Sequence, residues 1–93
     1  MRPTPPQKYL IKPHARFEMH RRQITEVQVL RVLTNPGQII QKDGGRCVYQ
    51  AKLRVEDKEF LFRVVVDTQF EPAEVVTVYR TSLRMRQDEL ELV

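Results

Sequence analysis

The sequence has one cysteine, three glycines, no tryptophan and no long apolar run, and each shortage narrows what the protein can be. A lone thiol, Cys47, cannot form an internal disulfide, which predicts a reducing compartment. The longest apolar runs, such as Val64-Val65-Val66, are far too short to cross a bilayer. The first residues lack the apolar stretch of a secretory signal peptide. The pattern predicts a soluble, cytoplasmic protein with no membrane partner.

Several chemistries are disfavoured by the same shortages. His14 and His20 lie six residues apart on different sides of a predicted helix, and the acidic residues are scattered, so no metal site is expected. The glycines do not form a phosphate-binding loop, because Asp43-Gly44-Gly45 is typical of a tight turn. Cys47 lies on an apolar strand face and is interpreted as a core residue. The sequence therefore predicts neither a metal nor a cofactor.

Size and charge favour a small globular domain with a basic end. A chain of 93 residues, 41% hydrophobic and 30% charged, predicts one domain. We expect it at 9–82, between a disordered lead-in at 1–8 and a C-terminal tail at 83–93. Residues 1–22 hold six basic side chains against one acidic side chain, and such a pole attracts polyanions, including nucleic acid. A solvated helix face would explain these charges equally well.

Two helices are predicted in the first part of the chain. Pro13 suits the first turn of a helix over 13–22, whose narrow apolar stripe is Ala15 and Met19. A capping box at 25–28 begins the second helix. The β-branched residues of that segment would also suit a strand, but the cap before it and the Asn-Pro-Gly after it favour a helix. The apolar residues at helical spacing are Val27, Leu30 and Leu33.

Strand-like alternation replaces the helical pattern after Gly37. Strands are predicted near 39–40 and at 46–55, 59–67 and 74–82, joined by short connections that imply an antiparallel meander. The predicted fold is α+β, with two N-terminal helices packed on one face of a four-stranded antiparallel sheet. The sheet residues expected beneath the helices are Phe60, Phe62, Val64, Val66, Val76 and Val78.

The opposite sheet face is expected to be polar and basic. Alternation places Arg63, Thr77, Tyr79 and Thr81 there, together with Lys52 and Arg54. Val48 and Gln50 share the side of their strand that carries Lys52 and Arg54. Cations, hydroxyls and an aromatic ring on one face can hold a phosphodiester chain and stack a base. The alternative is that these residues form only the solvated face of an antiparallel sheet.

A second group of candidate residues lies on the first helix. At 100° per residue, His14, Glu18 and Arg21 share one helix face. A histidine can transfer a proton near neutral pH, and an arginine can neutralise charge on a phosphate. RNA supplies its own 2′-OH nucleophile, so these groups suffice for cleavage without a metal. The same face would equally suit an ion pair of Glu18 with His14 or Arg21.

Several segments, in order along the chain, resemble the bacterial domain of unknown function 4258 family. They are His14-Ala15-Arg16-Phe17-Glu18-Met19, Ile24-Thr25, Val29-Leu30, Asn35-Pro36, Phe62-Arg63-Val64-Val65-Val66 and Val76-Thr77-Val78-Tyr79-Arg80-Thr81. The resemblance spans about Lys12 to Ser82. It implies the barnase–EndoU–colicin–RelE (BECR) superfold, whose members are mostly metal-independent ribonucleases and often toxins.

The resemblance also implies roles for particular residues. His14 corresponds to the family's helix histidine and Thr77 to the threonine of its last strand, while Tyr79 and Arg63 fall at motif positions. Many members have arginine where Glu18 stands, and glycine where Gln23 stands. The expected catalytic residues are His14, Arg21, Thr77 and Tyr79, and the expected substrate-binding residues are Arg16, Arg22, Arg63 and Arg80.

Three functions follow as hypotheses. The first is a metal-independent endoribonuclease of bacterial toxin type, which cleaves RNA by 2′-OH attack and has RNA and a cognate antitoxin or immunity protein as partners. The second is a non-catalytic module of the same fold that binds RNA or a protein. The third is a structural or regulatory domain whose exposed strand edge recruits a partner strand.

Overall fold

The computed structural model describes residues 8–83, so the predicted lead-in and tail lie outside the described residues except for Lys8 and Leu83. Each element bound agrees with the sequence pattern to within a residue or two, apart from the first strand, which the pattern did not predict. The elements are β1 (Tyr9–Ile11), α1 (Pro13–Arg22), α2 (Glu26–Thr34), β2 (Gln38–Gln41), β3 (Arg46–Val55), β4 (Lys58–Asp67) and β5 (Ala73–Leu83).

Local signals place both helices where they were predicted. Pro13 occupies the first turn of α1, and Gln23 ends it in the left-handed conformation at φ 57°. The capping box of α2 is confirmed, because the Gln28 backbone N–H donates to the Thr25 hydroxyl and the Thr25 backbone N–H donates to the Gln28 side chain. These contacts involve residues three apart, which explains why sequence reasoning found them.

The prediction of a four-stranded antiparallel sheet is wrong. The sheet is mixed and five-stranded, in the order β1-β5-β4-β3-β2. The four antiparallel strands β2 to β5 form the expected meander, and β1 adds to its edge by pairing parallel to β5, with Ile11 opposite Val75. Three residues are too few to show an alternating pattern, and their partner strand begins more than sixty residues later in the chain. The α+β class is nevertheless correct.

The core lies between the helices and one face of the sheet. Ala15 and Met19 of α1 are buried in it, as predicted. On α2, two of the three apolar residues at helical spacing lie outside the core, because Val27 is 73% exposed and Leu30 46% exposed. The buried residues of α2 are Val29, Val32 and Leu33. Around the helix axis, apolar side chains lie on either side of Leu33: Val29 and Val32 on one, Val27 and Leu30 on the other. Periodicity therefore did not identify which of these two sides faces the sheet.

A β-bulge shifts which residues of β5 enter the core. Val66 pairs with Val75, whereas Val65 pairs with Thr77, so Val76 is an extra residue without a cross-strand partner. Val75 is therefore fully buried, and Val76, which the alternation placed in the core, is only half-buried. Beyond the bulge the predicted alternation holds: Val78 is buried opposite Val64.

None of the helices within residues 8–83 is long and apolar enough to span a membrane.

Candidate nucleic-acid interface

The open face of the sheet, on the side away from the helices, carries one row of polar side chains across four strands. In this row Tyr79 pairs with Arg63, Arg63 with Gln50, and Gln50 with Gln38. Residues opposite one another in a sheet point to the same face, so the four side chains are neighbours. We call them the polar row.

Arg63 is held in the middle of the polar row. Its Nε donates to Oε1 of Gln50 at 2.9 Å, and Nε2 of Gln50 donates to Oε1 of Gln38 at 2.8 Å. On the other side, the Arg63 Cζ lies 5.9 Å from the centroid of the Tyr79 ring, within cation–π range. Among residues 8–83, no carboxylate pairs with this guanidinium, so its terminal nitrogens remain available to an anion.

A pocket of about 150 Å³ adjoins the polar row. It is lined by Arg63 and Tyr79, by the apolar side chains of Ile40 and Val48, and by Lys42. Lys42 is exposed and forms no ion pair with any described residue. The pocket therefore combines two cations, one aromatic ring and an apolar surface.

Two acidic side chains near the ends of this face are already paired. A carboxylate oxygen of Asp67 lies 3.7 Å from Nε of Arg46, and one of Glu74 lies 3.8 Å from Nζ of Lys12. Because Lys42 and Arg63 pair with no carboxylate in the part of the chain that the structure describes, these residues leave the centre of the open face positive.

The helix α1 has a different arrangement. Glu18 is buried and accepts hydrogen bonds from Nη2 of Arg21 at 2.8 Å and from Nε of Arg22 at 2.8 Å. The two bonds from Arg21, and then the one from Arg22, lower the pKa of Glu18 to about 2. The ion-pair alternative for Glu18 and Arg21 is thus the arrangement found, and a phosphate at either arginine would compete with a carboxylate.

The other basic residues expected to bind substrate are also on the helix side. Arg16 is exposed, and its Nη1 lies 3.5 Å from Oε1 of Glu26. The Arg80 Cζ lies 4.4 Å from the centroid of the Phe60 ring, which packs against the core. His14 is exposed on the first turn of α1 and has no hydrogen bond or ion pair with any described residue.

The fold thus divides the predicted site residues between two sides of the sheet. Arg63, Thr77 and Tyr79 lie together on the open face, as the alternation predicted. His14, Arg16, Arg21, Arg22 and Arg80 lie on the helix side. The expectation that the sheet brings Thr77 and Tyr79 close to His14 is not met, because α1 packs on the opposite face.

Sequence reasoning overlooked part of the open-face site. It placed Gln50 and Val48 on this face, but only the register of β3 with β4 shows that Gln50 bonds Arg63. Lys42 was missed because it follows β2 and belongs to no alternating run. Within the described residues, no group of three or more His, Cys, Asp or Glu side chains is placed to hold a metal ion. Burial raises the pKa of the Cys47 thiol, which fits its interpretation as a core residue.

These observations define the class of the protein: it is a small α+β domain whose open sheet face carries cations and an aromatic ring. The sequence profile of the domain of unknown function 4258 family (DUF4258) matches residues 11–80, and the chain belongs to that family. Comparison with curated proteins and with solved structures gives no match.

Proposed function

We propose that this domain binds single-stranded RNA on the open face of its sheet. The observation that supports the proposal is the guanidinium of Arg63, which Gln50 holds in place and whose terminal nitrogens pair with no carboxylate of the described residues. Arg63 lines the pocket together with Tyr79 and Lys42. An arginine with a free terminal edge matches the geometry of a phosphate, and a neighbouring lysine adds a second charge.

The aromatic ring favours a single strand over a duplex. Sheet-based RNA-binding domains stack unpaired bases on exposed rings while cations follow the backbone. Tyr79 is half-buried, with Arg63 to one side, and the pocket beside it is open to solvent. In duplex DNA the bases are stacked inside the helix and would not reach this ring. The face is therefore suited to an extended strand with accessible bases.

Binding measured against salt concentration tests the proposal. For single strands, log affinity decreases with log salt, and the steepness of this decrease becomes smaller by about 0.7 for each phosphate contact that is lost. We expect the double substitution of Lys42→Gln and Arg63→Gln to reduce the slope for an RNA octamer by about 1.4. The charge-matched control is Arg31→Gln with Lys58→Gln, two exposed cations outside the polar row and the pocket that form no ion pair with a described residue, and its slope should change by less than about 0.7. Equal losses in both variants, or no binding by the native chain, would refute an open-face site.

A metal-independent ribonuclease of the BECR superfold is the second candidate, and a specific observation favours it. His14 is exposed and unpaired among the described residues, as a general acid or base must be to reach substrate. In this reaction the 2′-oxygen attacks phosphorus as a base takes its proton, and the P–O5′ bond breaks as an acid protonates the 5′-oxygen. The products are a 2′,3′-cyclic phosphate and a free 5′-hydroxyl.

The division of the site constrains this second candidate. Arg63 and Tyr79 would hold one part of the RNA, whereas His14 would act on another. The toxin-type role adds a cytoplasmic location and a cognate antitoxin or immunity protein as partner. Incubation with total RNA with and without EDTA tests the chemistry. Cleavage that survives EDTA and leaves cyclic or 3′-phosphate ends supports it, whereas cleavage that requires magnesium refutes it.

A further inference from the structure

The pocket beside the polar row has the size of one aromatic ring. Its volume is about 150 Å³. An engineered apolar cavity of roughly that volume binds one benzene molecule. A pyrimidine base is a single six-membered ring with small substituents, whereas a purine has two fused rings. The pocket therefore matches the smaller class of base.

The lining of the pocket suits both parts of a nucleotide. Ile40, Val48 and the ring of Tyr79 provide apolar surface for the faces of a base. Arg63 and Lys42 provide positive charge at the same pocket for the attached phosphate. An apolar ligand alone would leave these cations without an anion, and a free phosphate would leave the apolar surface uncovered.

We infer that this pocket is a subsite for one pyrimidine nucleotide, with the base against Ile40, Val48 and Tyr79 and a phosphate on Arg63 and Lys42. The inference rests on the proposed RNA binding and adds a base preference to it. A purine would leave one of its rings outside the pocket, in water, and so lose part of the contact. A misfit of one methylene against apolar side chains already changes affinity by about 10-fold or more.

The test compares two RNAs on the same protein. Fluorescence anisotropy with labelled oligouridylate and oligoadenylate of about eight nucleotides measures the affinity ratio at one salt concentration. We expect the native chain to bind oligouridylate about 10-fold more tightly. Oligoadenylate stacks on itself in solution, so the ratio is read against variants with the same two RNAs, which cancels that contribution.

Two variants separate the pocket from the rest of the face. Val48→Phe places a ring inside the pocket and should bring the affinity ratio close to one while salt-dependent binding remains. Thr81→Phe adds the same ring to β5 outside the pocket, without a change of charge, and should keep the native ratio. Should Val48→Phe fail to fold in a melting experiment, Ile40→Phe is the replacement, because Ile40 is half-buried on the edge strand β2.

Each outcome has a distinct meaning. A native ratio near 10 that collapses only in the pocket variant supports the subsite. Equal affinity of the native chain for both RNAs, or a preference that survives in the folded pocket variant, overturns the subsite but leaves RNA binding intact. Absence of binding to either RNA overturns the proposed function and the subsite with it.

Discussion

The substitution Gln50→Leu tests whether the position of Arg63, and not only its charge, matters for RNA binding. Gln50 accepts the hydrogen bond from Nε of Arg63 at 2.9 Å, and its amide bonds Gln38 at 2.8 Å. Leucine keeps a side chain of similar size on β3 but cannot accept this bond. Arg63 keeps its charge and its contact with Tyr79, and it gains rotational freedom.

The magnitude follows from the cost of ordering one long side chain on binding. That cost is about 0.5–1.5 kcal/mol for each immobilised side chain. A loss of about 1 kcal/mol corresponds to about fivefold weaker binding. The number of cations is unchanged, so the slope of log affinity against log salt should stay the same within error. The substitution should therefore lower the affinity by the same factor at every salt concentration.

Fluorescence anisotropy of a labelled single-stranded RNA across a salt series measures both quantities. The matched control is Gln38→Leu, which removes the other end of the same amide chain without touching Arg63. We expect it to weaken binding by less than about twofold. If Gln50→Leu changes the slope, or leaves the affinity unchanged while Arg63→Gln lowers it, positioning of Arg63 by Gln50 is refuted.

Three further predictions concern the fold and α1. Val75→Ala should destabilise the domain by about 2 kcal/mol in urea unfolding, because two buried methyl groups are lost, whereas Val76→Ala should cost less than about 1 kcal/mol; the reverse order would contradict the bulge. The pKa of Glu18 is lowered from 4.5 to about 2, so its ion pairs stabilise the fold above the unfolded pKa and are lost as pH falls from 4.5 towards 2. The gap in Tm between the native chain and Glu18→Gln should therefore narrow over that pH range, and a constant gap would refute this account. His14→Ala should change stability by less than about 0.5 kcal/mol and, if the domain cleaves RNA, lower cleavage about 100-fold; a large fall in Tm with cleavage per folded molecule unchanged would show that His14 is structural.

Much of the candidate site followed from alternation along single strands. The pattern placed Arg63, Thr77 and Tyr79 on one face, and they lie there. It also placed Gln50 on that face. It did not show the hydrogen bond from Arg63 to Gln50, because the two residues are thirteen positions apart and meet only through the pairing of β3 with β4. The grouping of His14 with the open face failed, because nothing local to either segment states on which side of the sheet α1 packs.

The sequence by itself determined the features whose partners are close along the chain. Pro13, the capping box of Thr25 and Gln28, and the turns between β2, β3 and β4 involve contacts over a few residues. Such contacts form with little loss of chain entropy, so their residue types are a direct signal. The two helices and the four-strand meander were therefore predictable.

Only the tertiary structure decided the features that join distant segments. Three such features are the pairing of β1 with β5, the bulge that puts Val75 and not Val76 into the core, and the choice of the buried side of α2. All three depend on how elements far apart in the chain are aligned with one another. The same holds for the pocket, where Lys42 meets Tyr79 across four strands. Register is selected by packing of the whole core, and a one-residue shift exchanges the two faces of a strand, so no single segment contains this information.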